Sequence, residues 1–270
     1  MTDTTPHPPC PPLPHAGEGG DGVRLPSPVG WEGGGGWGLT ERARIAAYYQ
    51  QRQEAGLARR YSLFQPGSLF RIQHFERDTL AALKRHGYED LHQYRVLDVG
   101  CGDGGFLRRL VSWGADPALL AGVDLLEERV ASARRIDPCL DIRQADASAL
   151  PFEDARFDLA FQLTVFSSIL DSTMRRAVAG EMTRVLKPGS AVISYDFRVA
   201  RDRQNTRPVH VAELRRLFPG FAVDARRVTL VPPLTRVLAG WSWLLCELLE
   251  AVPLLRTHEL VVLRKPGGPP

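Results

Sequence analysis

The chain has 270 residues, 44% of them hydrophobic, 24% charged, with a formal net charge of +3. That length carries one large α/β unit or two small ones, and a hydrophobic share of this size fills a core. Basic and acidic residues interleave, which argues against the concentrated basic stripe of a nucleic-acid-binding surface. Residues 1–38 are almost half Pro or Gly with few aliphatic side chains. Such a segment cannot offset its ordering entropy and is expected to be a disordered tail. Its "PLPHAGEGG" also resembles translated intergenic repeats, which raises the question whether the tail is genuinely translated.

From Leu39 the composition becomes globular, and residues 39–270 read as one domain. "TERARIAAYYQQRQEAG" runs at helical period with Thr40 as the expected N-cap. A turn-prone "QPGS" leads into the amphipathic "LFRIQHFERDTLAALKRHG", closed by Gly87. Strand-like runs then follow: "YRVLDVG", "LLAGVDL", "DIRQADA", "FDLAFQL", "AVISYDF", a stretch near "FAVDARRVTLV", and "HELVVLRK". Helical patterns lie between them at 105–113, 127–135, 172–186, 209–217 and about 234–250. Strands separated by short helices imply a mostly parallel sheet covered on both faces. Cys10, Cys101, Cys139 and Cys246 are scattered, with no C-x-x-C and no histidine at ligand spacing. A disulfide framework or structural zinc is therefore not expected, and a cytoplasmic location is. The start of the chain lacks the pattern of a signal peptide, and no run is long enough to span a bilayer.

"RVLDVGCGDGGFL" holds Gly100, Gly102 and Gly105 in the G-x-G-x-x-G spacing of a nucleotide-binding turn. The spacing alone does not choose the ligand, but the charges around it do. A carboxylate about 5 Å from a unit charge interacts by roughly 3 kcal/mol at an effective dielectric near 20. Asp98 and Asp103 would repel a pyrophosphate and attract the ammonium and sulfonium of S-adenosylmethionine. Asp103 can also be read as the cap of the following helix. Asp124 ends the second strand, where a carboxylate can accept both ribose hydroxyls, and Asp146 ends the third, where it can meet the adenine amino edge.

With these residues the chain resembles a class I S-adenosylmethionine-dependent methyltransferase of the bacterial small-molecule type, similar to the ubiquinone and menaquinone biosynthesis group. "VLDVGCGDGGFL", "GVDLLEERVASAR", "ADASALPFEDARFDLAFQ" and "EMTRVLKPGSAVIS" carry the resemblance, in order, from Arg95 to Phe197. It implies a Rossmann-like seven-stranded sheet over 94–270 with one antiparallel strand, and a helical lid over 39–93 in which Tyr61 is a possible contact. It further implies that Gly100, Cys101 and Gly102 bring backbone to the methionine portion, with Asp98 orienting it. Asp124 would hold the ribose, Leu125 pack on the adenine, Asp146 and Ala147 meet its edge, and Gln162 offer backbone near the ammonium. Beyond Phe197 a weaker similarity points to methyltransferases of polysaccharide clusters, and so to a glycan as one possible acceptor.

Methyl transfer asks the protein to align the acceptor and exclude water, and a hydroxyl acceptor gains from a nearby base. Asp196 is the expected base or acceptor ligand, with Phe166, Ser167 and Tyr195 as acceptor-pocket residues and His210 as a second base candidate. The absence of an Asn-Pro-Pro-Tyr signature favours oxygen or carbon over amino nitrogen, and no metal is called for. The rival readings are an NAD(P)-dependent oxidoreductase and a non-catalytic S-adenosylmethionine-binding protein. The apolar "WSWLLCELLEAVPLL" (241–255) is open to three readings: core or lid packing, a wall for a lipid-linked acceptor, and peripheral membrane contact. Its acidic polar face, Glu247 and Glu250, counts against the third.

Overall fold

The computed structural model describes residues 37–54, 62–199 and 202–267. The expected tail falls outside these residues except at its last two positions, and Tyr61 also falls outside them. Helix α1 (Trp37–Glu54) starts three residues before Thr40, which therefore lies within the helix and is not its cap. Helix α2 (Pro66–Arg85) opens with a proline at its first turn, where the missing N–H costs nothing, and Gly87 at φ +85° follows its C-cap.

The alternating region builds seven strands: β1 (Val96–Val99), β2 (Leu120–Asp124), β3 (Asp141–Gln144), β4 (Phe157–Leu163), β5 (Leu186–Phe197), β6 (Ala222–Leu230) and β7 (Arg256–Arg264). Between them run α3 (Gly105–Ser112), α4 (Glu127–Ile136), a short α5 (Val165–Ser168), α6 (Ser172–Val185), α7 (Val211–Leu217), α8 (Pro232–Leu238) and α9 (Trp243–Glu250). The single helix expected over 234–250 is thus two, broken at 239–242, where Ser242 caps α9 by accepting the Leu245 N–H.

The sheet order is β3-β2-β1-β4-β5-β7-β6. Strand β7 runs antiparallel to both β5 and β6 and every other pairing is parallel, so β7 is the one reversed strand. Strands β1, β2 and the middle of β4 are buried on both faces, as a helix-covered parallel sheet requires. One core layer packs Leu97, Val99, Val123 and Ala160 under α6 and α7, and the other packs Leu107, Leu110, Phe161 and Ile193 under α3 and α4. Helix α2 does not join α1 over the glycine loop. It lies against α8 and β6, and its Phe75 meets the ring of Tyr195. Among the described cysteines, Cys101 and Cys246 are buried free thiols, while Cys139 is in a disulfide that its spacing did not announce.

Candidate functional site

The strand order reverses between β1 and β4, and in open sheets the crevice at such a point, beyond the carboxyl ends of the strands, takes the ligand. Gly100 ends β1 there with φ +76°, and a β-carbon on it would stand 2.5 Å from Val165 Cγ2. Only glycine satisfies both limits. The Gly100 and Cys101 N–H groups donate to Val123 O at 2.8 and 2.9 Å, tying the loop to β2. Gly102, at φ +57°, donates to Asp124 Oδ2 at 2.9 Å. The third left-handed glycine is Gly104, the N-cap of α3, and not the Gly105 of the spacing motif.

A cavity of about 90 Å³ opens at this point. Five expected residues line it: Gly100, Asp124, Leu125, Asp146 and Ala147. Asp124, mostly buried, also accepts the Leu126 N–H at 3.0 Å. Asp146 accepts the Ser148 N–H and hydroxyl at 2.7 and 2.8 Å, and its other oxygen receives Arg42 Nε from α1. Ile45 and Tyr49 of α1 close the cavity. The Tyr49 hydroxyl is 2.9 Å from Ser168 Oγ, and the Arg129 guanidinium lies 4.4 Å over its ring. The Arg42–Asp146 and Tyr49–Ser168 contacts were not expected from sequence, because they join residues more than a hundred positions apart. Small-molecule pockets usually measure roughly 300–1,000 Å³. With α1 seated, this one is far smaller.

Asp98, Cys101, Gly102 and Gln162 are not among the cavity's lining residues. Asp98 is 2% exposed, and among the described residues none donates a hydrogen bond to its carboxyl. Burial, and then the charge of Asp124, holds that carboxyl well above the usual range. Cys101 turns its thiol toward Gly122 of β2, so only its backbone faces the loop. Gln162 uses its side chain as a brace, accepting the Val165 and Phe166 N–H groups and donating to Ser194 and Asp196. Asp103 is exposed and accepts the Gly105 N–H at 3.2 Å, so it contributes to the helix start and not to the cavity's charge.

The expected acceptor residues need correction. Asp196 is 1% exposed, with Oδ1 taking the Ser167 N–H at 3.2 Å and Oδ2 taking Gln162 Nε2 at 3.1 Å. It anchors α5 to β5 and does not reach the cavity. Phe166 is fully buried against Phe218, and the Ser167 hydroxyl donates to Thr164 O. Tyr195 points to the other face of the sheet, stacked on His258 and 2.7 Å from Thr229 Oγ1, because alternate residues of a strand face opposite sides. His210 is exposed at the start of α7.

Burial raises the Asp196 carboxyl to about 6, against the Ser167 and Gln162 hydrogen bonds that lower it. A raised folded-state value means that the native protein binds this proton more tightly than the unfolded chain. The contribution is complete below about pH 4 and is lost as pH rises through about 6, on the order of 3 kcal/mol. The Asp196→Asn protein should therefore show a flatter melting temperature between pH 4 and 7 than the parent while still binding cofactor. Parallel thermal melts across that range check the slope.

Residues 96–189 match a family described as methyltransferase domain. Over 138 residues the chain is 34% identical to a sterol 4-C-methyltransferase of Caenorhabditis elegans, covering 48% of this chain and 38% of that protein. Over 118 residues it is 36% identical to a phthiotriol/phenolphthiotriol dimycocerosates methyltransferase of Mycobacterium ulcerans, covering 42% of this chain and 41% of that one. The aligned part thus spans about two fifths of the length of these relatives. Among solved structures, a S-adenosylmethionine-dependent methyltransferase of Archaeoglobus fulgidus aligns at a TM-score of 0.50 and 18% identity, covering 73% of this chain and 98% of that one. The cyclase SpnF aligns at 0.51 and 22%, covering 71% and 82%. These two likenesses speak to the fold alone, and the name of the second is not that of a methyltransferase. The glycine loop at the switch point and the carboxylates of Asp124 and Asp146 on its rim thus lie in a segment, 96–189, that is similar to a methyltransferase domain, on a sheet with the fold of solved S-adenosylmethionine-dependent methyltransferases.

Proposed function

We propose that the protein transfers a methyl group from S-adenosylmethionine to oxygen of a small molecule of lipid or glycan type. The observation that carries the cofactor reading is the set of three carboxylates, Asp98, Asp124 and Asp146, at the ends of three adjacent strands around Gly100. Two buried carboxyls without a cationic partner, Asp98 and Asp124, suit a cation and oppose a pyrophosphate. S-adenosylmethionine, when bound, supplies a methyl group on a positively charged sulfur, open to in-line attack. On the protein's side, Asp124 holds the ribose hydroxyls, Asp146 and Ala147 meet the adenine edge, and Leu125 packs on it. Gly100, Cys101, Gly102 and Gln162 offer backbone, and Asp98 orients the methionine ammonium.

The lid role proposed for 39–93 rests with α1, because α2 is held by α8 and β6. Arg42 must release one Asp146 oxygen when the adenine edge arrives, and α1 must lift for the cavity to reach a ligand's size. Treating 39–270 as one methyltransferase unit behind a tail at 1–38, and placing it in the cytoplasm, are parts of the same proposal. The acceptor class draws support from relatives whose names refer to a sterol and to phthiotriol dimycocerosates. The relatives' names cover carbon in the sterol 4-C- case and oxygen in a 27-O-demethylrifamycin methyltransferase of Amycolatopsis mediterranei, 31% identical over 109 residues.

Thermal shift with S-adenosylmethionine, S-adenosylhomocysteine and NAD tests the cofactor. Both S-adenosyl compounds should raise the melting temperature and NAD should not, while stabilisation by NAD alone overturns the reading. Comparing the lipids and surface glycans of a deletion strain with its parent for a missing methyl group identifies the acceptor and the methylated atom.

A further inference from the structure

The α8–α9 hairpin inverts the usual arrangement of a helix on a water-facing surface. Such helices turn charged residues outward and leucines inward. Here the acids of α9 turn in: Glu250 is 5% exposed, and its Oε2 lies against His74 Nδ1 of α2. Glu247, half-exposed, has Oε1 at 2.8 Å from His74 Nε2 and Oε2 at 3.6 Å from Arg77 Nη1. The inner face is already filled, with Phe70, Leu230, Ala239 and Cys246 forming their own small core. The outer face is nevertheless apolar. Val237, Trp241, Leu244, Leu248, Val252 and Leu254 are all exposed, Trp241 by 92% and Leu254 by 85%. Phe64, 98% exposed, extends the patch, since nearby Gly67 abuts the backbone of Thr235 in α8. Between 232 and 255 the only fully exposed charge is Arg236. Singly scattered apolar residues need no explanation, but a contiguous group of this size marks a contact surface.

Three features choose the occupant. The most exposed charge of the hairpin, Arg236, is positive, and its half-exposed carboxylate, Glu247, is paired with His74 and Arg77. Beside the hairpin a cleft of about 560 Å³ carries Arg77, Arg85, Arg226, Arg227 and Arg256 against Asp78 and Glu250, and Arg226 and Arg227 are exposed with no carboxylate partner among the described residues. The hairpin also joins the carboxyl end of β6 to the start of antiparallel β7, so it rises from the same rim of the sheet as the glycine loop. Protruding Trp and Leu with flanking arginine suit the boundary between acyl chains and anionic headgroups.

We propose that the α8–α9 hairpin docks the protein on an anionic phospholipid bilayer, with Trp241, Leu244, Leu248 and Leu254 entering the acyl boundary and Arg226, Arg227 and Arg236 meeting headgroups. This goes beyond the methyl-transfer reading and does not depend on it. No described helix is long and apolar enough to cross a membrane, so the contact is peripheral.

Co-sedimentation of the full chain with vesicles of phosphatidylcholine, with and without phosphatidylglycerol, tests it. Binding should be strong only with phosphatidylglycerol, and a protein carrying Trp241→Ser, Leu244→Ser and Leu248→Ser should bind about tenfold or more weakly. A second protein carrying Arg226→Glu and Arg227→Glu should lose the preference for phosphatidylglycerol. Because these side chains are exposed, both variants should melt like the parent and bind S-adenosylmethionine as the parent does. Absence of binding to either vesicle, or equal binding by the triple variant, overturns the proposal. So does dimerisation of the parent that the triple variant abolishes, which would make a second copy of the chain the occupant. Failure here with intact cofactor binding leaves methyl transfer standing, and the converse separates the two readings equally well.

Discussion

The Asp124→Ala protein should bind S-adenosylmethionine about a hundredfold more weakly than the parent, near 2.7 kcal/mol, when titrated by calorimetry. The carboxylate organises the site from both sides. It accepts the Gly102 N–H at 2.9 Å and the Leu126 N–H at 3.0 Å, holding the glycine loop to the start of α4. It also lines the cavity, where its remaining lone pairs can accept two hydroxyls. Hydrogen bonds to a charged acceptor are roughly twice as strong as neutral ones, and losing them leaves two backbone donors in a mostly buried site unsatisfied. Asp124→Asn, which keeps one acceptor oxygen, should fall between the two. A Kd within about threefold of the parent for Asp124→Ala would remove the residue from the cofactor site.

The Arg175→Ala protein should lose about 3–5 kcal/mol of stability, read as a lower midpoint in urea at unchanged slope. Arg175 is fully buried in α6. Its Nε donates to Ile169 O at 2.7 Å, Nη1 to Glu213 of α7 at 2.7 Å, and Nη2 to Arg207 O at 3.5 Å. One guanidinium thus fastens α6, α7 and the segment after α5, and Ile169 also lines the cofactor cavity. Burial lowers its affinity for the proton, and the Glu213 contact offsets only part of that. Truncation would leave a carboxylate and two carbonyls without a buried donor, which is the costly case. Arg207 makes the comparison. It reaches the same Glu213 oxygen at 3.3 Å from a half-exposed position, and Arg207→Ala should change stability by about 0.5 kcal/mol or less.

The lid and the hairpin bear on each other. Helix α1 closes the cofactor cavity, and the hairpin rises from the same rim of the sheet. An acceptor held in a bilayer could approach that rim without leaving its own solvent, and this is how the docking surface and the proposed lipid-type acceptor would cooperate.

Much of this was legible in the residues because it depends on local pattern. Seven short apolar runs separated by amphipathic ones specify a helix-covered sheet, and each of the seven became a strand. Gly100 takes its left-handed backbone immediately after β1, Asp124 is the last residue of β2 and Asp146 lies two residues past β3, so strand ends could be paired with chemistry. The charge argument for the cofactor kept its sign but changed its bearers. Asp103 turned outward to start α3, and the neighbour that pushes Asp98 upward is Asp124, on the adjoining strand.

What only the tertiary structure decided are the directions of side chains whose partners lie far away in sequence. Tyr195 and Asp196 are neighbours in the chain yet face opposite sides of β5, and the face that Asp196 occupies is filled by α5 instead of opening to an acceptor. Arg42 reaches Asp146 across 104 positions. Glu247 and Glu250 give 241–255 an acidic face when read in isolation. His74, 173 positions before Glu247, draws both inward and leaves tryptophan and leucine at the surface. A helix's periodicity shows that it has two faces. Which one meets solvent depends on what the rest of the chain offers each face, and here the buried His74 imidazole and the partly exposed Arg77 guanidinium lie against the carboxylates on the inner side.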